Sequence, residues 1–498
     1  MKAENGEVEI VAHSRCWDPI LHFSFLALPI LNLLRSSPSP SPMKVLLITS
    51  LFPPVRHTGA LRWTRLCRRL VPMGCKFHVV TTTQGFWSSQ HEDAEPVQGV
   101  MVDRVEYPDN LVMRYLKLTQ WGIKRLRKDV RLESSSDSGV ETRRKNVLLS
   151  GLKGSVGKVL RRLSLLPQPL ADSLAFPHYS KYWTKHVVSH CTQQFVAADF
   201  DIIIASHPYA GTLLAAKELS KQWGIPWVAD FRDPWTHDMQ SPLRDNQPML
   251  ARMWEFEGET LGTASAVVSI NRQMCEYLNA PDDKMHVITN SYEPSDYSFD
   301  RVESRSVETA LHLCYTGNIA DDHEYRLFLD GLKSFQENSE ERVIFNYYGG
   351  AFSKLSAYAS KIGLDQKVLK NHGYVKHEEA NQKLAEADCG VVFGWRGPLA
   401  KLVSTGKIFD SLGVESPILG ICSVSGSGME DIIVQSGAGS VLNSEQEIAD
   451  WLARALEVKG RARRERLLAP SCSEKNRVQY STKKVAEAYL LLLRTLIN

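Results

Sequence analysis

Short continuous apolar runs alternate with longer amphipathic stretches along most of the chain after Met43. Such runs, of about four to eight residues, are typical of strands buried on both faces of a parallel sheet. In the first half they predict strands at 44–49, 76–81, 100–107, 201–205, 226–230, 266–270 and 285–289. Helical periodicity predicts helices at 58–73, 211–223 and 251–262. In the first of these helices we expect Leu61, Leu66 and Leu70 on the buried side and the arginines on the opposite side.

The same alternation begins again after a polar stretch at 293–308. It predicts strands at 311–316, 343–348, 368–374, 389–393, 417–422 and 439–442, and helices at 324–338, 377–387, 406–412 and 445–458. Repeated strand–helix units favour an α/β fold with parallel sheets that are covered on both faces. We therefore predict two Rossmann-like, doubly wound domains that face each other across a cleft, at 43–300 and 301–480. A final helix within 481–498 is expected to cross back to the first domain.

Residues 1–42 form an extension before the first predicted strand. Its apolar stretch, 20–34, is interrupted by polar residues and is short for a bilayer span. Its flanks lack the positive start of a signal peptide, and a Ser/Pro-rich linker follows it. We interpret the extension as disordered or as a mis-assigned start, with a weak membrane anchor as the alternative.

A basic insert near 111–170 breaks the strand–helix pattern. Between Arg114 and Arg162 there are fourteen Lys/Arg and four Asp/Glu residues, and the flanks of this stretch place apolar and basic residues at helical spacing. A basic amphipathic helix can lie on an anionic membrane surface. The alternative is a solvated helical insert that packs on the first domain.

Composition and charge exclude several classes of protein. The formal net charge of +3 is too small to indicate nucleic acid as the main partner. The nine cysteines are scattered and form no CxxC pair, which argues against a disulfide framework and a structural zinc site and fits a reducing compartment.

Three residues of the first half are candidates because they follow predicted strands, where α/β proteins bind ligands. Gly59 opens a helix and allows either a plain turn or close approach of a ligand to the backbone. Arg62 lies one turn further and is either a ligand for a phosphate or a sugar carboxylate, or a surface charge. His207 follows the strand at 201–205 and is either a donor to a sugar hydroxyl or a satisfied loop residue.

A second polar cluster follows the strand at 226–230 in the sequence VADFRDPW. It either rigidifies its loop through an Arg–Asp pair or forms a wall of the acceptor or donor pocket, and the density of polar groups favours the pocket. The candidate residues of this cluster are Asp230, Arg232, Asp233 and Trp235.

The second half holds the most specific pattern. Gly317 and Asn318 follow its first strand, and small residues there permit close approach of a diphosphate. Gly406 precedes a short helix that carries Lys407 and Asp410 on one face. A lysine can neutralise a diphosphate and a carboxylate can accept both hydroxyls of a ribose. The alternative is an intrahelical ion pair, worth about 0.3–0.5 kcal/mol when exposed.

Together these motifs resemble the family 4 glycosyltransferases, whose fold is GT-B. The resemblance covers nearly everything after Met43 and weakens in the basic insert. In that family a carboxylate seven residues before the proline of the next strand binds the ribose, which is the position of Asp410 here. The motifs that carry the resemblance are FPP…G…R, SHP, PWVADFRDPW, AVVSIN, VITNSYEPSDY, and TGKIFDSL followed by SPILGI.

This sequence also departs from the family pattern. Many members have a second glutamate eight residues earlier, where Leu402 stands, and the usual arginine after the first strand of the second domain is Asn318 here. Lys407 and Arg396 are the remaining candidates to neutralise the diphosphate, and His207 matches the histidine that contacts the donor sugar. The resemblance therefore implies His207, Lys407 and Asp410 as the catalytic residues.

The resemblance implies a cytoplasmic enzyme that transfers a sugar from a nucleotide-diphosphate sugar, with retention and without a metal or other cofactor. The implied acceptor is a saccharide or a polyprenyl-linked saccharide of surface polysaccharide synthesis, reached at the inner face of the cytoplasmic membrane. Two alternatives stay open: a nucleotide-sugar 2-epimerase-like enzyme on the same fold, and a non-catalytic nucleotide-binding subunit of a polysaccharide assembly complex.

Overall fold

The protein is described here by a computed structural model. It describes residues 41–55, 58–83, 96–108, 176–178, 180–237, 246–297, 310–339, 342–397, 399–402, 404–457, 468–469 and 473–498. The predictions for the N-terminal extension up to residue 40 and for the basic insert at 111–170 lie outside these residues.

The first domain is built on a seven-stranded sheet. Its strands are β1 (Met43–Thr49), β2 (Cys75–Thr82), β3 (Val100–Val105), β4 (Ile202–Ser206), β5 (Trp227–Phe231), β6 (Ala266–Ser269) and β7 (Met285–Val287). Its helices are α1 (Thr58–Leu70), α2 (Lys181–Gln194), α3 (Ala210–Trp223), α4 (Gln247–Leu261) and the short α5 (Arg272–Cys275). Three of the strands, β1, β4 and β5, are almost wholly apolar and buried, as expected for strands covered on both faces.

The second domain is built on a six-stranded sheet. Its strands are β8 (Leu311–Thr316), β9 (Val343–Tyr348), β10 (Leu369–Gly373), β11 (Cys389–Phe393), β12 (Ile418–Ile421) and β13 (Gly439–Leu442). Its helices are α6 (Tyr325–Asn338), α7 (Phe352–Ile362), α8 (His377–Glu386), α9 (Gly406–Gly413), α10 (Gly428–Ser436) and α11 (Glu445–Glu457). Two further helices end the chain, α12 (Glu474–Val478) and α13 (Thr482–Ile497).

Both sheets are parallel and doubly wound. The first has the order β3-β2-β1-β4-β5-β6-β7 and the second β10-β9-β8-β11-β12-β13. The strand order therefore reverses between β1 and β4 in one sheet and between β8 and β11 in the other. These are the points where such sheets bind ligands, beyond the carboxyl ends of the strands. The predicted α/β fold of two Rossmann-like domains is confirmed.

The predicted orientation of helix α1 is wrong on two points. Leu61 is 40% exposed, whereas Arg62 and Arg65 are each 6% exposed. The reason is that distant carboxylates pair with these arginines, and a buried guanidinium is stable only when it is paired. Helix α1 thus turns Arg62 and Arg65 inward, towards the segment that connects the two domains, whereas Arg68 is exposed.

The last helix, α13, packs on the first domain although it follows the second in sequence. Its side chains Tyr489 and Leu493 are buried in the same cluster as Trp63 and Leu66 of α1. A main-chain bond from Thr482 N to the carbonyl of Tyr292 (2.8 Å) joins the start of α13 to the connector between the domains. Among the described residues, no helix is both long and apolar enough to cross a membrane.

Candidate active site

Three glycine backbones and one lysine lie together beyond the carboxyl ends of β8 and β9. Gly317 has φ +112°, a conformation that side chains other than glycine rarely adopt. A Cβ atom at Gly349 would lie 2.2 Å from the carbonyl oxygen of Gly317, so the two loops touch through their backbones. The main-chain N–H of Gly350 donates to Oδ1 of Asn318 at 2.9 Å. The result is a narrow backbone turn in which a side chain at position 349 would clash with the backbone of Gly317.

Lys407 places its ammonium group against this turn. A Cβ atom at Gly317 would lie 2.9 Å from Nζ of Lys407, and Nζ lies 5.4 Å from the centre of the Tyr315 ring. Burial lowers the pKa of Lys407, and the Asp410 carboxylate partly offsets that effect. A half-buried ammonium group beside a glycine backbone is suited to bind a phosphate group, because the negative charge of the phosphate would neutralise the lysine.

Helix α9 presents the rest of the predicted pattern. Thr405 caps the helix by accepting a hydrogen bond from the N–H of Lys407 at 3.4 Å, and Gly406 is exposed at its first position. Asp410 is half-buried one turn further along. The structure therefore brings Gly317, Lys407 and Asp410 to one region of the second domain, as the sequence predicts.

The carboxylate of Asp410 is joined to the first domain by two side chains. The hydroxyl of Tyr297 donates to Oδ1 of Asp410 at 2.8 Å. Nη2 of Arg65 donates to the Tyr297 hydroxyl at 3.3 Å and to Oδ2 of Asp296 at 3.0 Å. Sequence reasoning missed both Tyr297 and Arg65. The motif VITNSYEPSDY contains the tyrosine, but nothing in its spacing indicates a partner 113 residues away.

Arg396 contacts the loop after β8. Its guanidinium donates to the carbonyl of Asp321, and its main-chain N–H donates to the carbonyl of Asp322 at 2.7 Å. Its Nε atom is buried without a hydrogen-bond partner among the described residues. Arg396 thus ties the loop after β11 to the loop after β8, on the two sides of the reversal in strand order.

Arg62 and Asp230 do not line the cleft, which corrects the prediction for both. Arg62 donates to Asp230 from Nη2 at 2.9 Å, and the pair is almost fully buried. Asp230 also accepts hydrogen bonds from the indole of Trp63 (3.0 Å), the hydroxyl of Ser206 (3.2 Å) and the hydroxyl of Tyr489 (2.8 Å). This carboxylate holds α1, β4, β5 and α13 together.

His207 and Trp235 are also internal, which agrees with the alternative of a satisfied loop residue for His207 and corrects the prediction that Trp235 lines a pocket. His207 is 1% exposed and packs against Phe231, with ring centres 5.0 Å apart, and against Trp235. Burial, helped by the neighbouring His178, lowers the pKa of His207 well below its ordinary value. Its Nδ1 lies 3.0 Å from the carbonyl oxygen of Asp233 and donates to it, so the neutral ring keeps Nε2 as an acceptor rather than a donor.

The loop after β5 is held from both sides. Arg232 is half-buried and donates to the carbonyl of His207 at 3.1 Å and to that of Gly59, so it joins three loops at the carboxyl ends of β1, β4 and β5. Asp233 is exposed. Behind the loop, the buried Glu257 accepts hydrogen bonds from the N–H (2.9 Å) and the hydroxyl (2.6 Å) of Thr236.

A direct contact between the domains involves a residue that sequence reasoning did not select. Asn271, at the carboxyl end of β6, donates from Nδ2 to the carbonyl of Leu402 (2.7 Å) and to the hydroxyl of Ser404 (2.9 Å). Leu402 itself is 1% exposed. The loop that leads into α9 is therefore fastened to the first domain immediately before Lys407.

Comparison with known proteins gives a family match over part of the chain and a shared fold. Residues 142–291 match the family model described as "Glycosyl transferase 4-like domain". No curated protein matches the sequence.

Solved structures share the fold at low sequence identity. HepE of Anabaena, solved in complex with UDP and glucose, has a TM-score of 0.56 and 14% identity over 91% of this chain and 100% of its own. A sucrose-phosphate synthase from Thermosynechococcus elongatus has a TM-score of 0.57 and 11% identity over 91% and 99%. A trehalose 6-phosphate synthase from Burkholderia multivorans has a TM-score of 0.55 and 10% identity over 91% and 98%. Residues 142–291 are thus similar to a glycosyltransferase 4-like domain, and the shared architecture shows that the chain has the GT-B fold.

Proposed function

We propose that the enzyme transfers a sugar from a nucleotide-diphosphate sugar to a saccharide or lipid-linked saccharide acceptor, with retention of configuration. The observation that carries the donor assignment is the ammonium of Lys407 against the Gly317 backbone, with Asp410 one turn along the same helix. The lysine and the glycine turn are the binding site for the diphosphate, and the carboxylate is the binding site for the ribose.

The chemistry follows from where negative charge develops. The bond between C1 of the sugar and the diphosphate breaks, and its electron pair moves to the departing phosphate oxygen. The acceptor hydroxyl forms the new bond to C1 on the same face, and its proton passes to that phosphate oxygen. Lys407 and the backbone N–H groups near Gly317 stabilise the departing diphosphate, so in this proposal neither a protein base nor a metal is needed.

The acceptor belongs, in this proposal, to surface polysaccharide synthesis at the inner face of the cytoplasmic membrane. The support comes from the sequence, because a stretch with fourteen basic and four acidic residues between Arg114 and Arg162 suits an anionic lipid surface. The complex of HepE with UDP and glucose makes UDP and UDP-glucose the first donor probes to use.

The donor assignment is tested by binding. Thermal unfolding of the full chain is followed against UDP, GDP, ADP, CMP and dTDP and the corresponding sugars, for the wild type and for Asp410→Ala. A ligand at a hundredfold excess over its dissociation constant stabilises the folded state by about 2.7 kcal/mol. We expect one class of base to raise the melting temperature of the wild type and not of the variant. Equal shifts in both proteins, or none in either, would contradict the assigned site.

A second candidate function is nucleotide binding without transfer. It is favoured by the buried Leu402, which stands where many family members have a glutamate that contacts the donor sugar. A measurement of nucleoside diphosphate released from the donor distinguishes sugar transfer from nucleotide binding alone. Binding without release, in the presence of total membrane lipid-linked saccharides as acceptor, would support the non-catalytic role.

A further inference from the structure

Tyr297 lies between the ribose-binding carboxylate of the proposed function and the first domain. We propose that Tyr297, held by Arg65, is a positioning residue that orients Asp410 for the ribose and so couples nucleotide binding to the first domain. This inference depends on the proposed role of Asp410 and adds to it the two residues that set its geometry.

The hydrogen bonds run in one direction along this chain of groups. The guanidinium of Arg65 donates to the tyrosine oxygen at 3.3 Å, and the tyrosine hydroxyl then donates to Oδ1 of Asp410 at 2.8 Å. A phenol that accepts from a cation is a stronger donor to a carboxylate, because neighbouring hydrogen bonds polarise one another. Since Oδ1 is held in this way, Oδ2 is the oxygen that a ribose would engage.

The ring of Tyr297 is fixed against the nucleotide-binding helix itself. Tyr297 is 7% exposed, and a Cβ atom at Gly413 would lie 2.4 Å from its Cε2 atom. Gly413 is the last residue of α9, so the tyrosine packs directly against the helix that carries Lys407 and Asp410. The absence of a side chain at Gly413 leaves the space that the Tyr297 ring occupies. This close packing fixes the ring in addition to the hydrogen bonds of its hydroxyl.

Arg65 is fixed in its turn by the segment that connects the domains. Its Nη1 donates to the carbonyl of Ser291 at 2.7 Å, and its Nε donates to Asp296 at 3.1 Å. Arg65 lies on α1, whose first turn contains Gly59. A ligand that binds Asp410 is therefore connected, through Tyr297 and Arg65, to helix α1 of the first domain.

The test uses Tyr297→Phe in the full chain, with Tyr358→Phe as the matched control. Tyr358 also donates to an aspartate, Asp330 at 3.1 Å, but it does so between α7 and α6 of the second domain. Calorimetry gives the affinity for whichever of UDP, GDP, ADP and dTDP the wild type binds most tightly. We expect Tyr297→Phe to weaken binding about tenfold, because the carboxylate loses a charge-assisted hydrogen bond. The control should leave the affinity unchanged.

Two further variants distinguish positioning from a general loss of structure. Gly413→Ala pushes the ring away while Tyr297 keeps its hydroxyl, and it should weaken binding to a similar degree. In an Asp410→Ala background, Tyr297→Phe should have no additional effect, since the two residues act through one contact. With a donor sugar, the KM of the donor should rise while kcat at saturation changes by less than about threefold.

Failure of this inference is distinguishable from failure of the proposed function. If the wild type binds no nucleotide, or if Asp410→Ala binds as well as the wild type, both ideas are wrong. If Asp410→Ala loses binding but Tyr297→Phe and Gly413→Ala keep wild-type affinity, Asp410 binds the nucleotide and the positioning role of Tyr297 is wrong. An equal effect of Tyr297→Phe with and without Asp410 would also overturn it.

Discussion

The ammonium of Lys407 is a half-buried charge beside a glycine backbone, and burial lowers its pKa. Lys407→Ala removes this charge, so we expect binding of a nucleoside diphosphate to weaken by roughly tenfold to a hundredfold. Lys407→Arg keeps the charge, but the planar guanidinium is larger than the ammonium that fits against Gly317, so it should restore binding only in part. Calorimetric titration with UDP, GDP and ADP measures the three affinities.

Lys401→Ala is the matched control for this series. Lys401 is an exposed lysine six positions earlier in the chain, so its loss changes the net charge equally without removing a group near Gly317. If both alanine variants weaken binding to the same extent, the effect is one of overall charge and Lys407 has no specific role.

Glu257 gives the enzyme a pH-dependent stability. Burial raises the pKa of this carboxyl from 4.5 to about 7, against hydrogen bonds from Thr236 and Asn279 that lower it. Because the pKa of Glu257 is higher in the folded state, the carboxyl stabilises the fold fully when the pH is below its unfolded-state pKa. That stability is lost as the pH rises through about 7. The loss amounts to about 3 kcal/mol. We expect Glu257→Gln to remove this part of the pH dependence, as measured by urea unfolding between pH 5 and 8.

The control for Glu257 lies on the same helix. Glu259 is exposed, and Glu259→Gln should follow the wild-type pH profile. A Glu257→Gln protein that still loses the same free energy of unfolding between pH 5 and 8 would show that another group is responsible.

At the scale of elements, one carboxylate joins two helices to the centre of the first sheet. Asp230, at the end of β5, accepts from Arg62 of α1 and from Tyr489 of α13. Asp230→Ala leaves the buried guanidinium of Arg62 without its partner, which should cost about 3–5 kcal/mol of unfolding free energy. Tyr489→Phe removes one neutral donor and should cost about 1 kcal/mol. Urea unfolding measures both values.

Asp233→Ala is the comparison for these variants. Asp233 is exposed, and its carbonyl, which accepts from His207, is retained in alanine. Its carboxylate interacts with the charge of Arg232, but an ion pair at an exposed carboxylate is worth little. We expect its effect on stability to be within about 0.5 kcal/mol. A loss as large as that of Asp230→Ala would mean that the loop after β5, rather than the buried pair, determines stability.

The elements were predictable where the pattern is local. Strands β8, β9, β11 and β13 have the predicted bounds, because a buried parallel strand is a continuous apolar run between turn residues. Helices α2, α7 and α10 were not predicted. In α2 and α10 the apolar periodicity is weak, and α2 buries only three side chains, Trp183, Val187 and Cys191.

The candidate site likewise has a part that could be predicted from the sequence and a part that could not. That Gly317, Lys407 and Asp410 lie in one region was predictable, because the loop after β8 and the beginning of α9 were both expected at the carboxyl edge of the second sheet and Lys407 and Asp410 share one short helix. The inward arginines of α1 were not, because Arg62 and Asp230 are 168 residues apart and no periodicity reports such a pairing. The same reason applies to Tyr297, whose partner Asp410 is defined only by the folded structure.

For the whole molecule, side chains at the beginning of α5 help to fix the relation between the two sheets. Asn271 and Gln273 of the first domain bond to the second domain at two places. Asn271 donates to Leu402 and Ser404, and Gln273 donates to Asp431 at 2.6 Å. Gly428 is also in contact, since a Cβ atom there would lie 2.7 Å from Nδ2 of Asn271. The first contact fixes the segment that leads to Lys407, so it sets where the donor lies relative to the opposite domain.

Asn271→Ala should therefore separate binding from turnover. The nucleotide contacts proposed above belong to the second domain, so the affinity for the nucleoside diphosphate should change by less than about twofold. Transfer needs both domains in register, and a misplacement of the order of 1 Å can cost about a hundredfold in rate. We expect release of nucleoside diphosphate from the donor to fall by at least about tenfold.

Asn443→Ala, which removes a bond to the carbonyl of Cys422 within the second domain, is the matched control. If Asn271→Ala instead weakens nucleotide binding and leaves turnover at saturation intact, the contacts of Asn271 serve the donor site alone. They then do not set the relation between the domains.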